Sequence, residues 1–200
     1  MIELYAITDD PSPPDPPLRA VCCDGLTALC APAEEREMTP EVLWRHEEVM
    51  EALMEERDLL PVRFGTLVKD EQAAVRTLDE RRDELAASLD RVRGAVELAV
   101  RALPREPADS MEPPSPESGR DYMLAKASRT EAARLLHEPL AFLARESVVQ
   151  PSLELLRAAY LVDREAVESF VGMVRRLQET HEGLHVLCTG PWPPYSFAQP

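Results

Sequence analysis

The chain has 200 residues, which is enough to bury the core of one large domain or of two small ones. Its 37 acidic residues against 22 basic ones give a formal net charge of −15, which repels a phosphate backbone, so we expect no nucleic-acid partner. No apolar run approaches the roughly 20 residues of a bilayer span, and the N-terminus lacks a basic region before a long apolar segment. We therefore expect a cytoplasmic protein that contacts no lipid membrane.

A strand and a hairpin open the predicted fold. The segment Ile2 to Ile7 is predicted as a strand. Two short apolar segments, Arg19 to Cys23 and Leu26 to Ala31, are joined by Asp24-Gly25. Asp-Gly between two such runs is the strongest short hairpin signal, because both residues tolerate positive φ.

Two helices with a strand between them complete the first half. Thr39 is a predicted N-cap with Pro40 at the first helical position, and the helix extends to about Arg57. Its predicted buried stripe holds Val42, His46, Val49 and Leu53. A strand is predicted from Leu59 to Phe64. Asp70 then caps a long helix that ends at the C-cap glycine Gly94, with an apolar stripe of Val75, Leu78, Leu85, Leu89 and Val92.

Strands and helices alternate in the second half. A strand from Ala95 to Leu103 ends at Pro104, and residues 104–118 form a proline-rich, solvated loop. A helix follows from about Asp121 to Arg145. The next segment, from Leu153 to Val162, is either one strand or is split into two strands. Asp163 is predicted to cap a helix that buries Val167, Phe170, Val171, Val174 and Leu177. The last predicted strand covers Leu184 to Cys188.

These elements predict an α+β protein of two packed domains. Residues 1–93 form an N-terminal mixed α+β domain, and residues 94–200 form a C-terminal domain. The order of elements from Ala95 onward predicts a ferredoxin-like βαββαβ unit, followed by an extended tail over residues 190–200.

The tail carries the candidate contact residues. Three prolines alternate with three aromatic rings between Gly190 and Phe197, so the segment is predicted to be extended rather than helical. In one interpretation Trp192, Tyr195 and Phe197 clamp the tail onto the protein's own body; in the other, Trp192, Pro193, Pro194, Tyr195 and Phe197 contact a partner. Phe64 has the same two interpretations, as a core residue beside the turn at Gly65 or as an exposed ring at a strand end.

The sequence offers no residues for catalysis, for a metal or for a cofactor. His46 precedes Glu47, but the second histidine of a zinc-protease helix would stand at position 50, which is Met50. The four cysteines lack zinc spacing and are interpreted as small hydrophobic residues. We therefore expect no enzyme activity.

Six segments, taken together, resemble the gas vesicle protein F/L family. They are Leu4-Tyr5-Ala6-Ile7, His46-Glu47, Leu60 to Thr66, Gly119-Arg120-Asp121-Tyr122, Ala159-Tyr160-Leu161-Val162 and Gly190 to Phe197. They follow one another over almost the whole chain, which makes the resemblance specific.

The resemblance implies an accessory protein of gas vesicle assembly. Such a protein contacts the small apolar shell subunit and other gas vesicle accessory proteins, keeps the subunit from aggregating in a chaperone-like manner, and assists nucleation or assembly of the vesicle. One alternative is a minor structural component of the vesicle wall. A more distant one is a small-molecule-binding or regulatory ferredoxin-like protein.

Overall fold

The chain divides into two compact units. The computed structural model describes residues 1–33, 39–105, 119–152 and 154–198, and of residues 119–129 it describes the backbone alone. The first unit comprises Met1–Val96 together with Trp192–Pro200, and the second comprises Glu97–Pro191. The fold is α+β, as predicted, and the described residues form two antiparallel sheets. The tail groups with the first unit, whereas the sequence assigned it to a domain of residues 94–200.

Over the part of it that the structure describes, the first unit contains a five-stranded sheet and three helices. Its elements are β1 (Ile2–Thr8), β2 (Arg19–Cys23), β3 (Leu26–Pro32), α1 (Pro40–Glu56), β4 (Leu60–Pro61), β5 (Leu67–Val68), α2 (Glu71–Glu80) and α3 (Arg82–Val92). The strand order is β2-β3-β1-β4, and β5 also pairs with β1. Strand β2 is therefore an edge strand, while β1 lies at the centre with six of its seven residues buried.

The predicted hairpin at Asp24-Gly25 is confirmed. Asp24 and Gly25 have φ of 44° and 84°, the two positive values that a two-residue type I′ turn requires. Cys23 pairs with Leu26 across the turn. The register of the whole hairpin follows from this turn.

Helix α1 begins as predicted but buries a different stripe. The Thr39 side chain accepts a hydrogen bond from the Val42 N–H at 3.4 Å. The buried residues are His46, Met50, Leu53 and Met54, whereas Val42 and Val49 are only half-buried. The predicted stripe is wrong because it left out the two methionines, whose unbranched side chains fill irregular gaps in a core.

The predicted strand from Leu59 to Phe64 is much shorter in the structure. Only Leu60–Pro61 pairs with β1, and the Val62 N–H adds one hydrogen bond to the Tyr5 carbonyl at 2.8 Å. The chain then turns at Phe64 and Gly65 and returns as β5, because Gly65 takes a φ of 76° that ends an extended run.

The predicted long helix is two helices, α2 and α3. Asp70 caps α2 as predicted, its carboxylate accepting the Ala73 N–H at 2.9 Å, and Gly94 follows α3 with a φ of 68°. Arg81 leaves helical geometry between the two helices. Every residue from Asp79 to Asp83 is exposed, so no packed side chain holds one axis across this stretch.

In its described residues, the second unit contains a four-stranded sheet and two α-helices. Its elements are β6 (Ala95–Pro104), α4 (Gly119–Ala141), β7 (Glu146–Val149), β8 (Leu156–Asp163), α5 (Val167–Thr180) and β9 (Leu184–Trp192). The strand order is β7-β8-β6-β9. The predicted segment Leu153 to Val162 holds one strand, β8, and a further strand, β7, precedes it, starting where the sequence predicted the end of the preceding helix. The predicted proline-rich loop falls on residues 106–118, which lie outside the described residues.

Asp163 does not cap the helix that follows it. A short 3₁₀ turn over Arg164–Ala166 precedes α5, and the Asp163 side chain makes no capping hydrogen bond. Its carboxylate instead pairs with the Arg145 guanidinium. Because an arginine guanidinium can donate two hydrogen bonds to one carboxylate, Asp163 is bound by Arg145 rather than by the N–H groups of the helix, and the cap is missing.

The core of the second unit surrounds Tyr160. This side chain is fully buried, with its ring centroid 5.1 Å from that of Phe170 and its Oη 2.8 Å from Nδ1 of His137. Burial raises the pKa of Tyr160. The hydroxyl is therefore a neutral, hydrogen-bonded core group, which is how a buried tyrosine avoids the cost of an unpaired polar atom.

Replacement of glycine by alanine should have opposite effects on stability at Gly172 and at Gly25. Gly172 lies inside α5 and Gly25 in the hairpin turn, and a Cβ atom added at either position meets no atom within 4 Å. Gly172→Ala should raise the free energy of unfolding by about 0.5–1 kcal/mol, whereas Gly25→Ala should lower it by about 1–2 kcal/mol because its φ is positive. Urea unfolding of both variants measures this, and shifts of the same sign would contradict it.

Candidate partner-binding surface

The turn that carries Phe64 is fixed onto β1. The Gly65 N–H donates to the carboxylate of the buried Glu3 at 3.2 Å, and the Leu4 N–H donates to the Thr66 carbonyl at 2.9 Å. Within the turn, Thr66 Oγ1 donates to the Arg63 carbonyl at 2.6 Å. These bonds hold the Phe64 side chain in a defined place rather than on a loose loop.

Phe64 packs on one side against a buried histidine. Its ring meets His46 edge-on, with centroids 4.9 Å apart and planes at 75°, and His46 in turn stacks on Tyr5 at 4.9 Å. His46 is buried, whereas Phe64 is half-buried. Each of the two interpretations of Phe64 is therefore partly correct: one side of the ring contacts the core, and the rest of the ring is exposed to solvent.

Helix α1 exposes two large apolar side chains that the sequence analysis did not single out. Trp44 is 68% exposed and Leu43 is 40% exposed. Leu43 lies one turn before His46 and therefore on the same side of the helix. The sequence contained a signal for the exposure of Trp44. This residue stands two positions from His46, which places it roughly 200° around the helix from that buried side chain.

Carboxylates surround these two residues. Glu47 and Glu48 follow Trp44 by three and four positions, and Glu51 lies one turn further along α1. Burial, and then the nearby charge of Glu51, raise the pKa of Glu47. Beside the exposed indole ring, α1 therefore holds a half-buried carboxylate, Glu47, that is opposed by its own burial and by repulsion from Glu51.

This repulsion predicts a pH-dependent gain in stability for Glu47→Gln. A raised folded-state pKa means that the ionised carboxylate opposes folding at neutral pH, and that the penalty disappears as pH falls below the unfolded-state pKa of about 4.3. The variant should therefore melt at a higher temperature than the wild type at pH 7 and at the same temperature at about pH 3.5. Glu48→Gln, an exposed neighbour, is the matched control for the lost charge. Equal melting temperatures at pH 7 would contradict the prediction.

The C-terminal tail buries three of its residues and does not stay extended. Pro193 and Pro194 are buried and Phe197 is 0% exposed, whereas Trp192 and Tyr195 are half-buried. The predicted extended tail is wrong beyond Trp192, because Tyr195 N–H donates to the Pro193 carbonyl at 2.7 Å and Phe197 N–H to the Pro194 carbonyl at 3.1 Å. These two bonds make a turn that directs Phe197 inward.

The second unit has an exposed apolar surface of its own. Phe142, just after α4, is 89% exposed. Val148 and Val149 are exposed on β7, which is an edge strand of its sheet. An exposed phenylalanine beside an open edge strand is a second place where a partner could contact the protein.

One group of side chains has ligand atoms close enough for a metal ion. Cys23, Asp24 and Asp79 place theirs within 4.8 Å of one another, at the hairpin turn and the end of α2. Arg82 already contacts the Asp24 carboxylate at 3.7 Å. The sequence spacing could not reveal this group, because only folding brings the turn and the helix together. Exposed acidic groups of this kind do not by themselves make a metal site.

Residues 4–199 match the family model described as gas vesicle synthesis protein GvpL/GvpF. The chain belongs to this family. The match covers the turn at Phe64, helix α1 and almost all of the tail, so the resemblance of the six segments is confirmed over the whole chain.

Curated relatives agree with the family assignment. The chain is 30% identical to gas vesicle protein L of Streptomyces sp. (strain CB03234), over 85% of this chain and 73% of the relative. It is 29% identical to gas vesicle protein F of the same strain, over 93% of this chain and 90% of the relative. It is 27% identical to gas vesicle protein F2 of Halobacterium salinarum, over 86% of this chain and 76% of the relative.

Two solved structures share the fold. The crystal structure of GvpF from Anabaena sp. PCC7120 matches with a TM-score of 0.86 at 22% identity, covering 100% of this chain and 96% of that one. GvpF from Microcystis aeruginosa matches with a TM-score of 0.83 at 20% identity, covering 100% and 99%. In the described part of this family member, none of the helices has the length and apolar character of a membrane span.

Proposed function

We propose that this GvpL/GvpF family member binds the gas vesicle shell subunit, limits its aggregation and assists nucleation or assembly of the vesicle, without performing chemistry. The observation that carries the proposal is the family match over residues 4–199. In this proposal the protein acts in the cytoplasm, together with other gas vesicle accessory proteins.

The exposed side chains of α1 are suited to such a role. A subunit that forms a gas-facing wall must expose apolar patches before assembly, and such patches aggregate. Trp44, at 68% exposure, offers a large rigid ring of the kind that anchors protein interfaces. The net charge of −15 supports solubility while an apolar partner is held.

The predicted contact residues divide into two groups in this proposal. Phe64, Trp192 and Tyr195 keep part of their surface exposed, so we assign them, with Trp44, to partner contact. Pro193, Pro194 and Phe197 are buried, so we assign them to anchoring the tail.

We further propose that the second unit has a ferredoxin-like fold. From β6 onward the elements follow the order βαββαβ, and the strands lie in the order β7-β8-β6-β9. We assign this unit to the ferredoxin-like class on these two observations. The fold alone does not determine a function.

Co-expression with the shell subunit tests the proposed function. The shell subunit is produced alone and with this protein at matched levels, and the soluble and co-purified fractions are measured. We expect increased solubility and specific recovery of the subunit. No recovery and no change in solubility would refute the proposal. Retention of this protein in washed, finished vesicles would instead support a component of the wall.

A further inference from the structure

A cleft lies between the edge strand β2 and helix α2. Its volume is about 570 Å³, within the range of roughly 300–1,000 Å³ that is usual for ligand sites. Ala20, Val21 and Cys22 of β2 form one wall, and Glu71, Gln72, Val75 and Arg76 of α2 form the other. All of these residues belong to the first unit.

The strand wall directs unused backbone groups outward. In a hairpin closed by a two-residue turn, the pair that flanks the turn exchanges both of its hydrogen bonds, and such pairs alternate along the strands. Here Cys23, Val21 and Arg19 occupy the bonded positions against β3. The N–H and C=O groups of Ala20 and Cys22 therefore point away from β3, toward the open edge of the sheet. Among the described residues, β3 is the strand that pairs with β2.

The lining of the cleft favours an uncharged occupant. Val21 and Val75 provide apolar surface on the two walls, and the charged groups are one carboxylate, Glu71, and one guanidinium, Arg76. The two charges balance, in contrast to the strongly acidic chain as a whole. A cleft with a mixed apolar and polar lining, no net charge and an open row of backbone donors and acceptors matches an extended, uncharged peptide segment.

We infer that this cleft binds an extended, uncharged segment of the gas vesicle shell subunit as an additional strand on β2. The added strand bonds to the backbone of Ala20 and Cys22, and its side chains on the helix side lie against Val75. Strand addition would also cover an open edge of the partner, which is the feature that makes unassembled strands aggregate. The identity of the occupant rests on the proposed function; the existence of the binding edge rests on the register of the hairpin.

Proline at position 20 tests the inference. Ala20→Pro removes an outward N–H while leaving every β2–β3 hydrogen bond intact, because proline is tolerated on an edge strand where its nitrogen faces solvent. Ala20→Val is the matched control, since it adds bulk and keeps the N–H. With the complete chain and the shell subunit co-expressed, Ala20→Pro should lower recovery of the subunit at least tenfold relative to both wild type and Ala20→Val.

The outcomes separate the inference from the proposed function. Recovery by wild type and Ala20→Val but not by a folded Ala20→Pro supports the inference. Equal recovery by all three overturns it and leaves the proposed function standing, whereas no recovery by the wild type overturns both.

A second measurement is needed because Ala20→Pro could unfold. In hydrogen exchange of the free, unmodified protein, the amides of Ala20 and Cys22 should exchange fast with solvent. In the complex with the shell subunit, the same two amides should be protected. Unchanged exchange at these two amides in a complex that does form would also overturn the inference.

Discussion

Phe197→Ala should lower the free energy of unfolding by about 3–5 kcal/mol, the range measured when a buried phenylalanine is truncated. The Phe197 side chain is 0% exposed, three residues before the end of the chain. Such a loss is a large part of the 5–15 kcal/mol that stabilises a typical domain. Urea unfolding followed by circular dichroism measures the effect.

Phe142→Ala is the matched control for this prediction. It removes the same side chain at a position that is 89% exposed, so its effect should stay within about 0.5 kcal/mol. Equal effects of the two substitutions would show that Phe197 does not anchor the tail. Truncation after Thr189 should likewise lower stability, because it removes Phe197 together with Pro193 and Pro194, which are also buried.

Trp44→Ala should reduce recovery of the shell subunit by roughly 30-fold, corresponding to a loss of about 2 kcal/mol at an interface anchor. The melting temperature should remain near that of the wild type, because the ring is 68% exposed and contributes little to the core. Quantitative co-purification at matched expression gives the first number and a thermal melt gives the second.

Two control variants make the Trp44 result specific. Trp44→Phe keeps an aromatic ring and should retain most of the recovery, whereas Phe142→Ala removes an exposed ring from the second unit and should leave recovery unchanged. Loss of recovery with Phe142→Ala and not with Trp44→Ala would move the contact to the second unit. Full recovery with both variants would refute an aromatic anchor at either position.

Local signals predicted the parts of the fold that depend on a few neighbouring residues. Asp24-Gly25 specified its turn because only residues that tolerate positive φ fit it, and both angles are positive in the structure. Thr39 and Asp70 each cap the helix that follows, because the capping bond reaches only two or three residues along the chain.

Errors arose where a distant part of the protein decides the outcome. Asp163 could have capped α5, but Arg145 takes its carboxylate. The stripe of α1 shifted to Met50 and Met54, whose place in the core depends on what packs against them. The candidate surface was only partly predicted for the same reason: Phe64 and the tail were identified as candidates, whereas the exposure of Trp44 and the cleft beside β2 were not.

The sequence by itself determined the family, the α+β class, the hairpin and the starts of α1 and α2, because each depends on local residue chemistry or on segments in a fixed order. The tertiary structure alone decided which apolar side chains are buried. Phe197 and Trp44 are both large aromatic residues in the same unit, yet one is fully buried and the other is 68% exposed. Burial depends on contacts between residues far apart in the chain, and these contacts exist only once the fold has formed.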